Sequence, residues 1–181
     1  ARCEAMGLGL ARHVDSGQLQ VHQVDPAELS PGEFACRVVE AVQRERVGVV
    51  AIDSLNAYMQ SMPGQSFLLL HMHELLSFLG QMGVTTLLVL GQHGLVGETR
   101  SEIDLSYLSD SILLYRYFEA LGEVRTAITA VKCRTGENQR SIREFRLSRL
   151  HGMQVGAALS GFEGVLSGLP TYRGETAMLS D

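Results

Sequence analysis

Residues 47–56 read VGVVAIDSLN, a run of small and β-branched apolar residues that ends in Asp53 and Ser54. Apolar runs of this length are typical of strands buried inside a parallel sheet. The polar residues come where such a strand would reach the surface. An aspartate at the carboxyl end of a parallel strand can hold a metal-bound water in a nucleotide site. The stretch therefore predicts an α/β fold and raises the question of a nucleotide site.

A nucleotide site of this type needs a phosphate-binding loop, and the sequence contains no such loop. The pattern G-x-x-x-x-G-K-[ST] requires a lysine after a glycine. Lys132 is the single lysine, and it follows Val131. Either Asp53 only caps a turn, or the chain forms part of a site that another segment completes. The chain starts with Ala1 in residues that read as the middle of a helix, so we expect a fragment.

Composition is typical of a globular α/β protein and limits the class of partner. The chain has 181 residues, 45% of them hydrophobic, and a net charge of −5, which argues against a general nucleic-acid surface. Three cysteines lie far apart and match no metal-ligand spacing, so we predict free thiols in a reducing cytoplasm. No apolar run approaches the roughly 20 residues of a membrane span.

Upstream of the opening stretch, the sequence predicts a short helical turn, a strand and a longer helix. The turn, LARHVDSG, ends at Gly17. Leu19–Asp25 alternates apolar and polar residues, which predicts a strand half covered by helices. Ser30 and Glu33 have the spacing of a capping box and predict a helix that runs to about Arg46.

Downstream, the pattern predicts a loop, a helix and a second buried strand. Residues 57–66 read as the loop. Residues 67–83 predict a helix that is apolar on most of its circumference and is covered on more than one side. Residues 84–94 read as a fully buried strand that enters a glycine-rich turn. Alternating strands and helices imply a parallel sheet with ligand sites at the carboxyl ends of its strands, where Asp53 and Gln92 both fall.

After residue 98 the pattern changes to that of an antiparallel meander appended to the parallel sheet. Residues 112–134 read as two strands joined by a turn, and residues 141–148 as a third strand. From Met153 onward, glycine, serine and small apolar residues predict a closing strand or turn and then a tail.

These segments resemble the KaiC proteins, RecA-like ATPases best known from the cyanobacterial circadian clock. The resemblance runs from LQVHQVDPAELSPGEF through VGVVAIDSLNAYMQS and MGVTTLLVLGQ to GFEGVLSGLPTY. It implies a mostly parallel P-loop NTPase sheet with helices on both faces, whose phosphate loop and paired catalytic glutamates lie upstream of this chain. Residues 1–152 would then be a partial RecA-like ATPase domain, and residues 153–181 its closing strand or turn and a carboxyl-terminal tail.

The resemblance also implies roles for the polar residues at the strand ends. Asp53 matches the Walker B aspartate, which holds the Mg²⁺ shell through water, and Ser54 follows it as in the family. Gln92 stands where RecA-like ATPases place a sensor amide near the γ-phosphate of ATP. The clock proteins differ from this chain around Gln92, so a loop glutamine without such a role stays open.

Two cations alternate along one predicted strand and should face the same side of the sheet. Lys132 and Arg134 match a K-x-R pair that, in the family, reaches the γ-phosphate bound to the neighbouring subunit. If so, the active protein is a ring, and the resemblance implies a hexamer. The alternative is a solvated edge strand whose cations bind no nucleotide.

Ser106 and Tyr107 align with the adjacent serine and threonine that accept phosphate in the clock kinase. Ser106 matches in type and Tyr107 does not, so a polar loop without phosphorylation stays an alternative to autophosphorylation.

The resemblance implies ATP and Mg²⁺ as cofactors, hydrolysis in a cytoplasmic ring, and signalling proteins as partners, with no membrane and no nucleic acid. This chain alone, without the Walker A lysine, is expected to be inactive. Two other functions stay open. One is a catalytically silent RecA-fold scaffold, and the other is a DNA-linked RecA-type motor, which the acidic net charge disfavours.

Overall fold

The computed structural model describes residues 8–25, 28–60, 65–91, 107–134, 136–137 and 139–173. By its internal contacts the chain divides into two units, one spanning His22–Gly91 and the other combining Ala1–Val21 with Gln92–Asp181. Within the described ranges, no helix combines the length and the apolar character that crossing a membrane requires. Cys36 and Cys133 are free thiols, as the sequence predicts, and Cys3 lies outside the described residues.

Helices and parallel strands make up the first unit, whereas antiparallel strands dominate the second, so the chain has the predicted α/β composition. In chain order the elements are α1 Leu10–Asp15, α2 Pro31–Glu45, β1 Val49–Asp53, α3 Leu55–Gln60, α4 Gln65–Gln81, β2 Thr85–Val89, β3 Ser111–Ala120, β4 Glu123–Cys133, β5 Arg143–Ser148, β6 Gly152–Ala158, β7 Phe162–Glu163 and β8 Thr171–Tyr172.

The capping box at the start of α2 forms as the sequence predicts. The Oγ of Ser30 accepts a hydrogen bond from the backbone N–H of Glu33 at 3.2 Å. In return, the Oε2 of Glu33 accepts the backbone N–H of Ser30 at 2.9 Å. The helix ends at Glu45, and Arg46 follows in the left-handed conformation. Local chemistry therefore determines both where this helix begins and how it is stabilised there.

The two strands of the first unit pair in parallel, in register from Val49 with Thr85 to Asp53 with Val89. Alternate residues of both strands are exposed, including Val49 at 58% and Leu87 at 54%. The prediction of fully buried strands is therefore wrong for the described residues. These strands have the β-branched composition of a sheet covered on both faces, but the described helices cover only one face.

Part of the predicted loop at residues 57–66 is helical. Leu55, Tyr58 and Met59 are buried, and their spacing of three and four residues places them on one face of α3. The loop prediction was wrong for residues 57–60, because it gave weight to the later proline and glycine and overlooked this short apolar stripe. It was also wrong for residues 65–66, which begin α4. Pro63 and Gly64 lie outside the described residues.

Helix α4 buries one stripe of its apolar surface. Leu68, Met72 and Leu79 are almost fully buried, whereas Phe67 is 72% exposed. The helix ends near Gly83, which has the positive φ of a helix terminator. The prediction that this helix is covered on more than one side is wrong within the part of the chain that the structure describes.

Residues 19–25, predicted as a strand, form no strand in the structure. Val21 is 77% exposed. An alternating pattern produces a strand only where a neighbouring strand can satisfy its backbone N–H and C=O groups. Among the described residues β1 pairs with β2 alone, so this segment has no ladder to join.

The second unit contains the predicted meander, with one strand more than the three read from residues 112–148. Strands β3, β4, β5 and β6 lie in chain order in one antiparallel sheet. Phe118 of β3 and Ala127 of β4 are buried on one face of this sheet. Val165, which follows β7, belongs to the same buried cluster. A largely buried ion pair joins neighbouring strands, since Arg125 donates to Glu144 at 2.9 Å.

Candidate functional site

Asp53 lies at the carboxyl edge of the parallel strands. It ends β1 opposite Val89, and its side chain is exposed on the uncovered face of the pair. The Asp53–Ser54 peptide bond is cis. The carbonyl of Ser54 accepts the backbone N–H of Ala57 at 3.2 Å, which begins α3 directly after the strand. The strand and the helix together therefore present the Asp53 carboxylate to solvent at this edge.

Asn56 joins the carboxyl ends of the two strands. Its side-chain amide donates to the carbonyl of Gly91 at 2.9 Å, and its Oδ1 accepts the N–H of Gly91 at 2.7 Å. Gly91 directly precedes Gln92, which lies outside the described residues. Asn56, three residues after Asp53, thus binds the backbone of Gly91, the residue before the candidate sensor Gln92. Sequence reasoning missed Asn56.

The residues at this edge fit a magnesium ion that keeps most of its water. Mg²⁺ is usually bound through one or two carboxylates together with substrate phosphates, and it retains several waters. An exposed carboxylate such as that of Asp53 suits this arrangement. Within the described ranges no group of three or more His, Cys, Asp or Glu side chains could form a metal cage. The exposed carboxylate of Asp53 therefore suits an ion that phosphate and water hold for the most part.

A bulge in β4 determines the face of the sheet on which the predicted cation Lys132 lies. Ile112 pairs with Lys132, whereas Leu113 pairs with Ala130, so Val131 is an extra residue in β4. Cross-strand partners share a face, which places Lys132 on the face of Ile112. Regular alternation would have placed it on the face of Ala130 instead. Bulges that re-aim a side chain are frequent next to active sites.

Both predicted cations contact the segment that leads into β3, residues 107–110, which we call the 107–110 segment. The Nζ of Lys132 donates to the carbonyl of Ser109 at 2.8 Å. The Nη2 of Arg134 donates to the carbonyl of Tyr107 at 2.9 Å, and its Nη1 lies 3.3 Å from the Oδ1 of Asp110. The structure thus brings Lys132 and Arg134 together, and it adds Asp110, which sequence reasoning missed.

An open cavity of about 530 Å³ lies beside this group of cations. Its lining combines the cations Lys132 and Arg140 with one carboxylate, Glu137. A cavity of this charge can receive an anionic group such as phosphate. Among the described residues, the lining consists of Val131, Lys132, Cys133, Gly136, Glu137 and Arg140.

The predicted site residues fall into two sets, one in each unit. Asp53 and Ser54 belong to the first unit, and Lys132 and Arg134 belong to the second. Ser106, the candidate phosphate acceptor, lies outside the described residues. Nonlocal contacts are what sequence reasoning missed. The one available signal was the position of Asn56, a hydrogen-bonding side chain just after a strand that should end at a sheet edge.

Comparison with known proteins gives one consistent result. The family model described as "ATPase: KaiC" matches residues 1–160. The circadian clock protein KaiC3 of Synechocystis sp. is 31% identical over 171 residues, which cover 94% of this chain and 34% of that protein. The circadian clock oscillator protein KaiC of Parathermosynechococcus lividus is 29% identical, over 91% of this chain and 30% of its own length. The chain therefore spans about a third of the length of these curated relatives.

Proposed function

The chain belongs to the KaiC family of ATPases, and we propose that it contributes to an ATP site shared between neighbouring subunits of a ring. Membership implies a RecA-like α/β fold and nucleotide binding. One observation carries the proposal. Lys132 and Arg134 are held side by side on the 107–110 segment at the end of β4, and they match the K-x-R pair for which the family resemblance implies a contact with the neighbouring subunit's nucleotide.

The phosphate loop of this site would come from a segment outside these 181 residues. The lack of a Walker A lysine supports this part of the proposal, as does the exposed apolar face of β1 and β2. A RecA-like sheet carries helices on both faces, so further segments would cover that face. We accordingly assign residues 1–152 to a partial RecA-like domain and residues 153–181 to its closing strand or turn and tail. This chain alone would be inactive.

In the subunit that binds the nucleotide, the functional residues would be Asp53, Ser54 and Gln92. Bound magnesium ATP supplies the phosphoryl group that is transferred. The Asp53 carboxylate would help to hold the hydrated ion, and Ser54 lies beside it at the start of α3. Gln92 follows Gly91, whose backbone Asn56 binds, and its side-chain amide would donate to the γ-phosphate.

On the side of the neighbouring subunit, Lys132 and Arg134 would approach the γ-phosphate. Negative charge spreads over the equatorial oxygens of the transferring phosphoryl group, and cations placed there stabilise the transition state. Because the two cations serve the next subunit's nucleotide, hydrolysis requires the assembled ring. In full, the proposal is a cytoplasmic hexamer to which signalling proteins bind. Ser106 would accept phosphate in its autophosphorylation.

A second candidate, a catalytically silent RecA-fold scaffold, is favoured by one observation, the missing phosphate-loop lysine. The two functions differ in whether the full-length gene product that carries this sequence contains a phosphate loop and hydrolyses ATP. The net charge of −5 gives no support to a DNA-linked motor.

The deciding experiment measures ATP binding and hydrolysis by the full-length protein and by its Asp53→Asn and Lys132→Ala variants. We expect both variants to bind ATP and to lose hydrolysis, and mixed rings of the two to recover part of it. Arg149→Ala, which removes an exposed cation between β5 and β6, is the control. A folded protein that neither binds nor hydrolyses ATP would support the scaffold instead.

A further inference from the structure

The 107–110 segment contacts both cations, and its two acceptor residues have the same spacing as the cations themselves. Lys132 and Arg134 are two residues apart, and so are their backbone acceptors, the carbonyls of Ser109 and Tyr107. The backbone N–H of Arg134 also donates to the carbonyl of Asp110 at 2.8 Å, which extends the ladder between β3 and β4 past its last pair. Two long side chains are therefore held along one short segment of backbone.

Asp110 is the charged member of this arrangement. Its carboxylate lies 3.3 Å from the Nη1 of Arg134, and its carbonyl accepts the Arg134 backbone N–H. The ion pair is largely exposed, so it contributes little to folding stability. The ion pair does restrict the direction of the guanidinium, because an exposed arginine otherwise samples many rotamers.

The held guanidinium keeps donors for a phosphate. An arginine side chain carries five N–H donors. Within the described residues Arg134 uses one donor of Nη1 for Asp110 and one donor of Nη2 for Tyr107. The remaining donors suffice for bidentate binding of phosphate oxygens. The contacts therefore fix the side chain without consuming its binding capacity.

We propose that the 107–110 segment positions the two cations for the neighbouring subunit's nucleotide, and that Asp110 is the positioning residue for Arg134. This inference rests on the proposed function, because it gives a task to contacts within the same site. Preorganised charges avoid reorganisation when the phosphoryl group transfers, so the benefit falls on kcat rather than on KM.

The test is a double-mutant cycle in the full-length protein, with kcat and KM for ATP hydrolysis measured for Asp110→Ala, Arg134→Ala and the double variant. We expect Arg134→Ala to lower kcat about 10³-fold, the lower end for a trans arginine. Asp110→Ala should lower kcat about tenfold or more with KM unchanged, as for a slightly misplaced group. In the Arg134→Ala background, Asp110→Ala should have no further effect.

Two variants separate positioning from folding. Asp110→Asn retains an acceptor oxygen and should recover much of the rate that Asp110→Ala loses. Glu163→Ala removes the acidic partner of another exposed pair, with Arg173 at 3.4 Å, and should leave kcat unchanged. Ring assembly measured for each variant reports on folding independently of the rate.

The outcomes distinguish this inference from the proposed function. If Arg134→Ala lowers kcat while Asp110→Ala does not, or if the two effects multiply in the double variant, Asp110 does not act through Arg134 and the inference is wrong. If Arg134→Ala hydrolyses ATP like the unchanged ring, the trans role of the cation fails, and both proposals fall with it.

Discussion

The side-chain amide of Asn56 and the backbone of Gly91 form a reciprocal pair of hydrogen bonds across 35 positions of sequence. Asn56 follows the strand that ends in Asp53, and Gly91 precedes Gln92. One side chain thus holds together the ends of the two strands from which both candidate nucleotide residues extend. In a parallel sheet this edge is where ligands bind.

Asn56→Ala should therefore weaken both stability and ATP hydrolysis. Two hydrogen bonds are lost, which corresponds to about 1–3 kcal/mol of unfolding free energy. Asn56→Asp is the matched control, because it retains the acceptor for the Gly91 N–H but loses the donor to the Gly91 carbonyl. We expect its loss, measured by urea unfolding, to be smaller than that of alanine. Equal stability of all three proteins would contradict a structural role for this contact.

A second prediction concerns the buried ion pair of the meander. The Glu144 side chain is 5% exposed and bonds to Arg125, whose other carboxylate partner, Glu123, is 65% exposed. Glu144→Ala removes the buried partner and leaves the Arg125 charge poorly compensated, so it should cost about 3–5 kcal/mol in urea unfolding. Glu123→Ala removes only the exposed partner and should cost less than about 1 kcal/mol. Equal costs would show that burial does not govern this pair.

The third prediction is a pH dependence in the capping box of α2. Hydrogen bonds from the Ser30 side chain and then its backbone lower the pKa of Glu33 from its usual value of 4.5. A carboxyl group whose pKa is lowered on folding contributes stability above its unfolded pKa and loses it as the pH falls through the folded value. The contribution should be complete at neutral pH and absent in strong acid.

Glu33→Gln tests this dependence, because glutamine can still accept the Ser30 N–H but has no charge. Its melting temperature should lie below that of the unchanged protein at about pH 7, and the difference should shrink as the pH falls below 4.5 and disappear in strong acid. Glu33→Gln in a Ser30→Ala background is the control, because the hydroxyl that donates to Glu33 at 2.7 Å is gone, and it should show a smaller change with pH. A constant difference across this pH range would assign the effect to shape rather than to charge.

The features that the sequence predicts well depend on residues close together in the chain. Ser30 and Glu33 determine a helix start by themselves, and the turn between β3 and β4 occurs where the letters ALGE stand. The predicted strand at residues 19–25 failed because a strand requires a partner that the pattern cannot supply. The helix at Leu55–Gln60 was missed because its apolar stripe is only one turn long.

At the candidate site, sequence identifies the charged residues but not the contacts that hold them. Lys132 and Arg134 are recognisable from their spacing and from the family resemblance. Their partners in the 107–110 segment depend on the pairing of β3 with β4, and the bulge at Val131 depends on a register that no local pattern encodes. The arrangement of a site is therefore less predictable than its composition.

The last prediction tests whether the position opposite Ile112 determines the face on which the cations act. Val131 is the extra residue between Ala130, opposite Leu113, and Lys132, opposite Ile112. Deleting Val131 leaves Lys132 opposite the same partner in a regular ladder, so the K-x-R pair should keep its face. The full-length deletion variant should therefore retain most of its ATP hydrolysis. With the bulge at Val131 retained, an alanine inserted after Val131 takes the place opposite Ile112 and moves Lys132 opposite Ser111, which should turn both cations toward the other face.

We expect the insertion variant to assemble and bind ATP but to hydrolyse it no faster than Lys132→Ala. An alanine inserted after Arg149, in the exposed turn between β5 and β6, is the matched control and should leave hydrolysis intact. Hydrolysis rates of assembled rings give the comparison, with ATP binding measured on the same samples. An active insertion variant, or a folded but inactive deletion variant, would show that hydrolysis does not depend on the face that Lys132 takes opposite Ile112.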